Sequence, residues 1–196
     1  MSPTELLDDF ERGLDQRWVP KIFQGETEYR VVAEGLGGGF CLRADSRGSA
    51  SGLVLEKEYR LQDLPWLSWR WKVENILPDG NARTKAGDDY AARIYVVFPH
   101  WFFPKTRTLN YIWANQLPIN NFIVSPYTGN SMMIAVESGS DRVGEWRLER
   151  RNVLEDYRQA FGEEPPPVGA IAIMTDADNT GGTATAWYDD IIVSRD

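Results

Sequence analysis

The chain has 196 residues, with 21 Lys and Arg against 29 Asp and Glu, a formal net charge of -8. That length supports one hydrophobic core and one domain spanning residues 1–196. The acidic balance argues against nucleic acid and against anionic membrane surfaces as partners. One cysteine, Cys41, excludes an internal disulfide framework and a multi-cysteine zinc site, and one histidine, His100, excludes a three-histidine zinc centre.

The first residues, Met1 to Phe10, show no basic region followed by an apolar run, and no stretch approaches the roughly 18 apolar residues that cross a bilayer. The expected location is the cytoplasm, with an exported mature form left open. Leu6 to Glu11 reads as a first or edge strand. Trp18 to Phe23 reads as a second, kept off a central position by Pro20. Tyr29 to Ala33 and Phe40 to Asp45 follow, separated by the glycine-rich run 35–39. Ser46 to Gly52 reads as a polar turn before a strand at Leu53 to Tyr59.

Trp66 to Val73 carries the clearest pattern. Leu67, Trp69, Trp71 and Val73 alternate with Ser68, Arg70 and Lys72, the period of a strand with one buried and one wet face. Tyr90 to Phe98 is apolar enough for a central strand. Leu109 to Ala114, Ser131 to Glu137 and Glu145 to Arg150 continue the series, with polar loops around Asp79 to Gly87 and Ile123 to Asn130. One helix is expected after Arg151. Asn152 caps it, Glu155 completes a capping box, Val153, Leu154, Tyr157 and Phe161 form its apolar stripe, and Gly162 with Pro165 to Pro167 ends it. Val168 to Thr175 and Thr183 to Ser194 are closing strands.

Many short strands without strand-helix alternation point to an all-β fold: two antiparallel sheets packed face to face, a jelly-roll β-sandwich with one short helix. Its expected core holds Trp69, Trp71, Val73, Ile94, Val96, Phe98, Ile134, Val136, Ile171, Ile173 and Ile191.

Several segments together carry a family resemblance: LDDFE at 7–11, LSWRW at 67–71, DDYAARIYVVF at 88–98, NYIW at 110–113, RNVLEDY at 151–157, FG at 161–162, TDADNT at 175–180 and WYDD at 187–190. In combination they resemble an uncharacterised bacterial family, the domain-of-unknown-function family 3047, over nearly the whole chain. That resemblance implies no activity. A second likeness runs to galactose-binding-like jelly-roll modules, including carbohydrate-binding modules. It implies that an acidic first strand lies beside an Asp-bearing last strand, where some such modules hold a structural calcium ion. The matching residues here are Asp8, Asp9 and Glu11 with Asp189 and Asp190. Calcium needs six to eight oxygen ligands, and unneutralised acids brought together would repel.

The segment 176–182 has the acid spacing of part of a calcium loop. It lacks the terminal glutamate of an EF-hand, Trp187 standing at that position, and it equally suits a turn. Asp88 and Asp89 are adjacent and so point to opposite faces if both lie in a strand. Asp89, Arg93 and Tyr95 can share one face, where the arginine can meet a substrate carboxylate or form a buried ion pair. Flat rings near loops and strand ends, Trp66, Trp101, Tyr111, Trp113, Tyr127 and Trp146, can stack on sugars or wrap the core. Cys41, within an apolar strand and without a neighbouring base, reads as a core residue.

Three functions stay open on these residues. The first is non-catalytic binding of a glycan or other polar ligand in a groove of Asp89, Arg93, Tyr95, His100, Trp101, Tyr111 and Trp113; separately, Asp9, Glu11, Asp189 and Asp190 are the candidate ligands of a structural calcium ion. The second is a lyase or hydrolase acting on an acidic saccharide, with His100, Tyr95 or Tyr111 beside Arg93. The third is a protein-protein interaction module with exposed aromatics as its contact.

Overall fold

The structure is a computed structural model that describes residues 3–35 and 38–196, so part of the glycine-rich run, Leu36 and Gly37, lies outside the described residues. Thirteen strands and one helix are described, in the order β1 (Thr4–Asp8), β2 (Trp18–Gln24), β3 (Glu28–Ala33), β4 (Phe40–Arg47), β5 (Ala50–Tyr59), β6 (Trp66–Val73), β7 (Arg93–Phe98), β8 (Arg107–Ala114), β9 (Phe122–Val124), β10 (Ser131–Ser138), β11 (Arg147–Asn152), α1 (Val153–Phe161), β12 (Val168–Asp176) and β13 (Thr183–Ser194). They form a β-sandwich of the jelly-roll kind. One sheet runs β11-β6-β13-β4-β3 with β1 added alongside β13, and the other runs β2-β5-β12-β7-β8-β10-β9.

Pairing is antiparallel except between β8 and β10, which run parallel. The short β9 supplies the antiparallel partner at that edge; with three residues, it shows too little alternation to be read from the chain. Other boundaries differ from expectation, among them these two. The turn expected at Ser46 to Gly52 narrows to Gly48 and Ser49, because Ser46 Oγ donates to Ser49 O at 2.8 Å and both strands pair up to the bend. The first strand stops at Asp8 because Phe10 takes a left-handed φ of 54° and its N–H binds Asp8 Oδ1 at 2.8 Å. Pro20 sits where it was expected, on the edge strand β2, where a missing N–H breaks no inner ladder.

The alternation in β6 does what its pattern requires. Leu67, Trp69, Trp71 and Val73 are fully buried, and every residue expected in the core is buried. Trp69 and Trp71 meet edge-to-face at 5.3 Å, Trp69 packs on Tyr111 at 5.4 Å, and Trp71 packs on Trp113 at 6.0 Å. The centre of the sandwich is therefore an aromatic spine shared by β6 of one sheet and β8 of the other. Tyr111 and Trp113 are not groove residues. Their side chains fill the space between the sheets, and their polar atoms are used there, Tyr111 by Asp156 and Trp113 by Gly139 O.

On the other face of β6, Arg70 and Lys72 lie over aromatic rings. Lys72 sits between Trp146 (5.1 Å) and Trp187 (4.4 Å), Arg70 covers Trp146 at 4.8 Å, and Arg43 covers Trp187 at 5.2 Å. The wet face expected from sequence is thus a cation–π ladder. The helix α1 begins as expected, with Asn152 Oδ1 accepting from Glu155 N at 3.1 Å, and ends on Gly162 at φ 70°. The box is only half made, since the Glu155 carboxylate pairs with Arg158 instead.

Two carboxylates, Glu137 buried and Glu149 half-buried, meet across the sheets. Glu149 of β11 meets Glu137 of β10, while Trp71 Nε1 donates to Glu149 at 3.2 Å and Arg147 Nε donates to Glu137 at 2.6 Å. Burial pushes the Glu149 carboxyl up to about 7, and the Glu137 charge pushes it the same way. The folded state then holds a proton that the unfolded chain releases near its ordinary value. Stability falls as pH rises from the ordinary glutamate range to about 7 and is flat above. Glu149→Gln is expected to remove that slope and to stabilise at about pH 8 by on the order of 1 kcal/mol, discounted for partial solvent contact. Urea unfolding at about pH 5 and about pH 8 checks it, and an unchanged slope in the variant would refute it.

Candidate functional site: a cleft on the outer face of the seven-stranded sheet

β7, β8, β10 and β12 bury one set of alternating side chains between the sheets. The opposite set, Arg93 and Tyr95 of β7, Asn110 of β8, Met133 of β10 and Met174 of β12, faces outward. Those outward residues floor an open cleft of about 630 Å³. Its rim is aromatic, with Phe103 of the turn 103–105 exposed by 74%, Tyr127 by 53%, and Phe23 of β2 opposite them. Lys21 reaches over both Phe23 (5.8 Å) and Phe103 (5.9 Å), tying the two walls together.

The floor is polar within a thioether lining. Asn110 Nδ2 donates to Met133 Sδ at 3.1 Å, and Arg93 Nη2 lies 3.8 Å from Met174 Sδ. Arg93 Nε and Asn110 Oδ1, one donor and one acceptor, have no hydrogen-bond partner among the described residues. Arg93 is buried, bonds Asp176, lies 3.7 Å from Asp88, and is covered by the rings of Tyr90 (5.0 Å) and Tyr95 (5.4 Å). Burial pushes the Asp176 carboxyl well up, against the pull of Arg93; Asp88 is raised for the same reason and against the same pull. Burial raises the Tyr95 hydroxyl above its ordinary range, so it is held protonated and is a donor rather than a base.

At one end of the cleft Asp89, Asp176 and Asp178 bring three carboxylates together, with oxygens within 4.8 Å of one another. That is close enough to hold a cation. The donor set is already largely used. Asp89 accepts from Asn179 N at 3.2 Å and Thr180 N at 2.6 Å, which makes 176–182 the turn it can also be read as, and Asp176 accepts from Tyr90 N at 3.4 Å and from Arg93. Asp178 Oδ1 alone of these lacks a partner among the described residues, and burial raises the Asp178 carboxyl.

Of the residues expected in the groove, the structure brings Arg93 and Tyr95 together. Asp89 is behind the cleft, fully buried, and Asp88 lines it in its place. Strand parity does not hold before Arg93, where β7 begins, because the chain at 88–92 is irregular. His100 lies elsewhere, in a second pocket, and Trp101, exposed by 92%, lines neither. Tyr127 is the one ring of the loop-and-strand-end set that the cleft uses; its hydroxyl reaches Asn179 and Lys85 O. Asn110 and the two methionines had no signal beyond polar or flexible residues inside apolar strands.

The acids of the termini are taken up by protein donors rather than by one another. β1 does pair with β13, as the likeness implied. Asp8 binds Trp18 Nε1, Asp9 accepts from Glu11 N, and Glu11 accepts from Phe40 N at 2.8 Å over Gly39, where a Cβ would stand 1.7 Å from its oxygen. Asp189 and Asp190 both bind Arg70. N–H donors and one guanidinium supply the compensation expected of a cation, so Asp9, Glu11, Asp189 and Asp190 form no common site. Cys41 is buried, with its thiol pushed up to about 11 by burial, in keeping with a core role.

Residues 16–192 match the model of a family described as protein of unknown function (DUF3047). No curated protein matches the chain. Among solved structures, the family 11 carbohydrate-binding module of a cellulosomal cellulase of Clostridium thermocellum has a TM-score of 0.52 at 12% identity, covering 98% of this chain and 95% of that one. The same kind of module from Clostridium thermocellum in complex with a β-1,3-1,4-mixed-linked tetrasaccharide scores 0.48 at 12% identity, covering 98% and 96%. A variant of the family 29 module CBM29-2 complexed with mannohexaose scores 0.47 at 12% identity, covering 99% and 92%. The first of these shows the shared sandwich fold; a fold hosts many functions.

Proposed function

The chain belongs to the DUF3047 family, described as of unknown function, and on its own cleft we propose that it binds a glycan, or a polar ligand of similar size, without converting it. The observation that carries this reading is the composition of the cleft: exposed rings at the rim, Phe103 and Tyr127, above a floor of guanidinium, amide and thioether groups. Flat rings stack on the C–H faces of sugars, and an amide and a guanidinium read hydroxyls. The carbohydrate-binding modules of similar fold are in keeping with it. Tyr95 is held protonated and His100 stands in another pocket, so neither of the bases expected for a lyase is offered beside Arg93.

The test is a thermal melt against neutral and acidic oligosaccharides, each with calcium and with chelator. Ligand that binds only the folded state raises Tm in a concentration-dependent way. Tyr127→Ala is expected to weaken binding roughly three- to tenfold, the worth of about one aromatic contact, while Tyr127→Phe retains most of it. If no oligosaccharide shifts the melt of the folded protein, the reading falls and the exposed run Trp101 to Phe103 makes protein contact the better one. Product released from a bound oligosaccharide would replace binding by catalysis. A calcium ion at the carboxylate cluster is a second occupant, favoured by the unpartnered Asp178 Oδ1. It would show as a calcium-dependent rise in Tm that Asp178→Asn abolishes.

A further inference from the structure

A second pocket of about 400 Å³ lies on the far side of the turn 103–105, between that turn and the chain that follows α1. The wall between the two spaces is thin. Pro104 lines the first and Lys105 the second, Asn130 lines both, and Asn130 Nδ2 donates to Pro104 O at 2.7 Å. In a chain of net charge -8, this pocket collects His100, Lys105 and Arg107 against one acid, Glu163.

Each basic group is presented. Arg107 lies over the Phe161 ring at 4.7 Å and donates to Tyr157 Oη at 3.0 Å, which fixes the plane of its guanidinium. Lys105 is exposed and makes no ion pair among the described residues. His100 Nδ1 accepts from Phe102 N at 3.0 Å, so the ring nitrogen left to donate is Nε2. The carboxylate of Glu163, half exposed just after the end of α1, already sits on Arg107. The pocket thus holds a carboxylate supplied by the chain itself, on a side chain that is half in solvent.

We propose that this pocket is an anionic subsite that takes the carboxylate of a uronic acid residue, from a saccharide whose neighbouring units occupy the cleft, with Glu163 as the group it displaces. The proposal rests on the glycan reading above and narrows its ligand to acidic saccharides. Arg107 would take the carboxylate with both prongs, with Lys105 and His100 Nε2–H as further donors.

The chain has one histidine, so its ring proton signal in NMR reports on this pocket without ambiguity. The probes are trigalacturonate, its methyl ester and free galacturonate, with wild type, Lys105→Ala and Glu163→Gln. Trigalacturonate is expected to move the His100 signal and to bind roughly tenfold tighter than the uncharged ester, the worth of one charge-assisted contact. Lys105→Ala should weaken the acid roughly threefold or more and spare the ester, and Glu163→Gln should tighten the acid. Equal affinity for acid and ester, with the His100 signal still, overturns the subsite and leaves glycan binding in the cleft standing. Free galacturonate is too short to depend on the cleft. If it moves the His100 signal while no neutral oligosaccharide binds, the subsite stands and the glycan cleft falls; if neither acid moves it, the subsite falls whatever binds in the cleft.

Discussion

Arg93→Leu is expected to lower the unfolding free energy by about 3–5 kcal/mol, the cost of stranding a buried charge whose partner has been removed. Arg93 is the buried cation beside two raised carboxyls, Asp176 in direct contact and Asp88 at 3.7 Å. Burial drives the Asp176 carboxyl up, Arg93 is the main influence holding it down, and the charges of Asp89 and Asp88 add to the rise. Without the guanidinium, Asp176 keeps its proton in the folded state and loses it in the unfolded one. The folded chain then binds more protons, so the deficit of the variant grows as pH rises above the ordinary aspartate range. Adding Asp176→Asn removes the carboxyl that must be protonated to stay buried, and the double variant is expected to recover more than half of the loss. Denaturant melts at about pH 5 and about pH 8 decide it. A loss under about 1 kcal/mol at the higher pH, or a double variant no better than the single, would sink the account.

The parts of this fold that were legible in the chain are those set by local alternation against one solvent-facing side. Trp66–Val73 is bounded as expected because tryptophan and leucine alternate there with Ser68, Arg70 and Lys72. The helix start was legible because Asn152 caps it over a three-residue span. In Leu109 to Ala114 the alternation is hidden. Both faces of β8 are covered, one by the second sheet and one by Ala82, Tyr90, Leu117 and Met133, so every residue from Leu109 to Ala114 is buried and the phase cannot be read. The phase that puts Tyr111 in the groove is the reverse of the strand's, which turns Tyr111 into the core and Asn110 to the cleft. The cleft's charge set is harder still. Asp88, Arg93 and Asp176 converge across 83 residues between Arg93 and Asp176, and only the antiparallel register of β7 on β12 brings them together. The termini are the instructive half-success. The likeness to galactose-binding-like modules implied that the first and last strands pair, as β1 and β13 do, but the cation that serves the last strand comes from the middle of β6, a matter of tertiary register.

That cation makes the second large prediction: Arg70→Met is expected to cost about 3 kcal/mol, less than Arg93→Leu because Arg70 keeps some contact with water. Arg70 Nε binds Asp190 at 2.8 Å, Nη2 binds Asp189, and the same guanidinium reaches Glu34 at 3.2 and 3.3 Å. Asp190 holds a left-handed φ of 47° and the pairing with β6 shifts between Asp189 and Ile192, so a bulge turns two consecutive carboxylates onto one arginine. The guanidinium also covers Trp146 at 4.8 Å, and methionine retains only the packing part of that contact. Burial pushes the Asp189 carboxyl up to about 6 even with Arg70 present. Its proton is held by the folded state, so stability falls as pH rises from the ordinary aspartate range to about 6, and the loss of Arg70 extends that fall to higher pH. Arg70→Lys is expected to be intermediate, since one ammonium cannot serve three carboxylates with fixed directions. A variant within about 0.5 kcal/mol of wild type at about pH 8 would show the network to be idle. Calcium separates the two ways of neutralising these acids. In wild type the guanidinium occupies them and added calcium should not act there. In Arg70→Met, the oxygens of Glu34, Asp189 and Asp190 are freed together, and a calcium-dependent gain in Tm is expected that Asp189→Asn abolishes. Such a gain confined to the variant would identify Arg70 as the cation that stands at the acidic last strand of this sandwich in place of an ion.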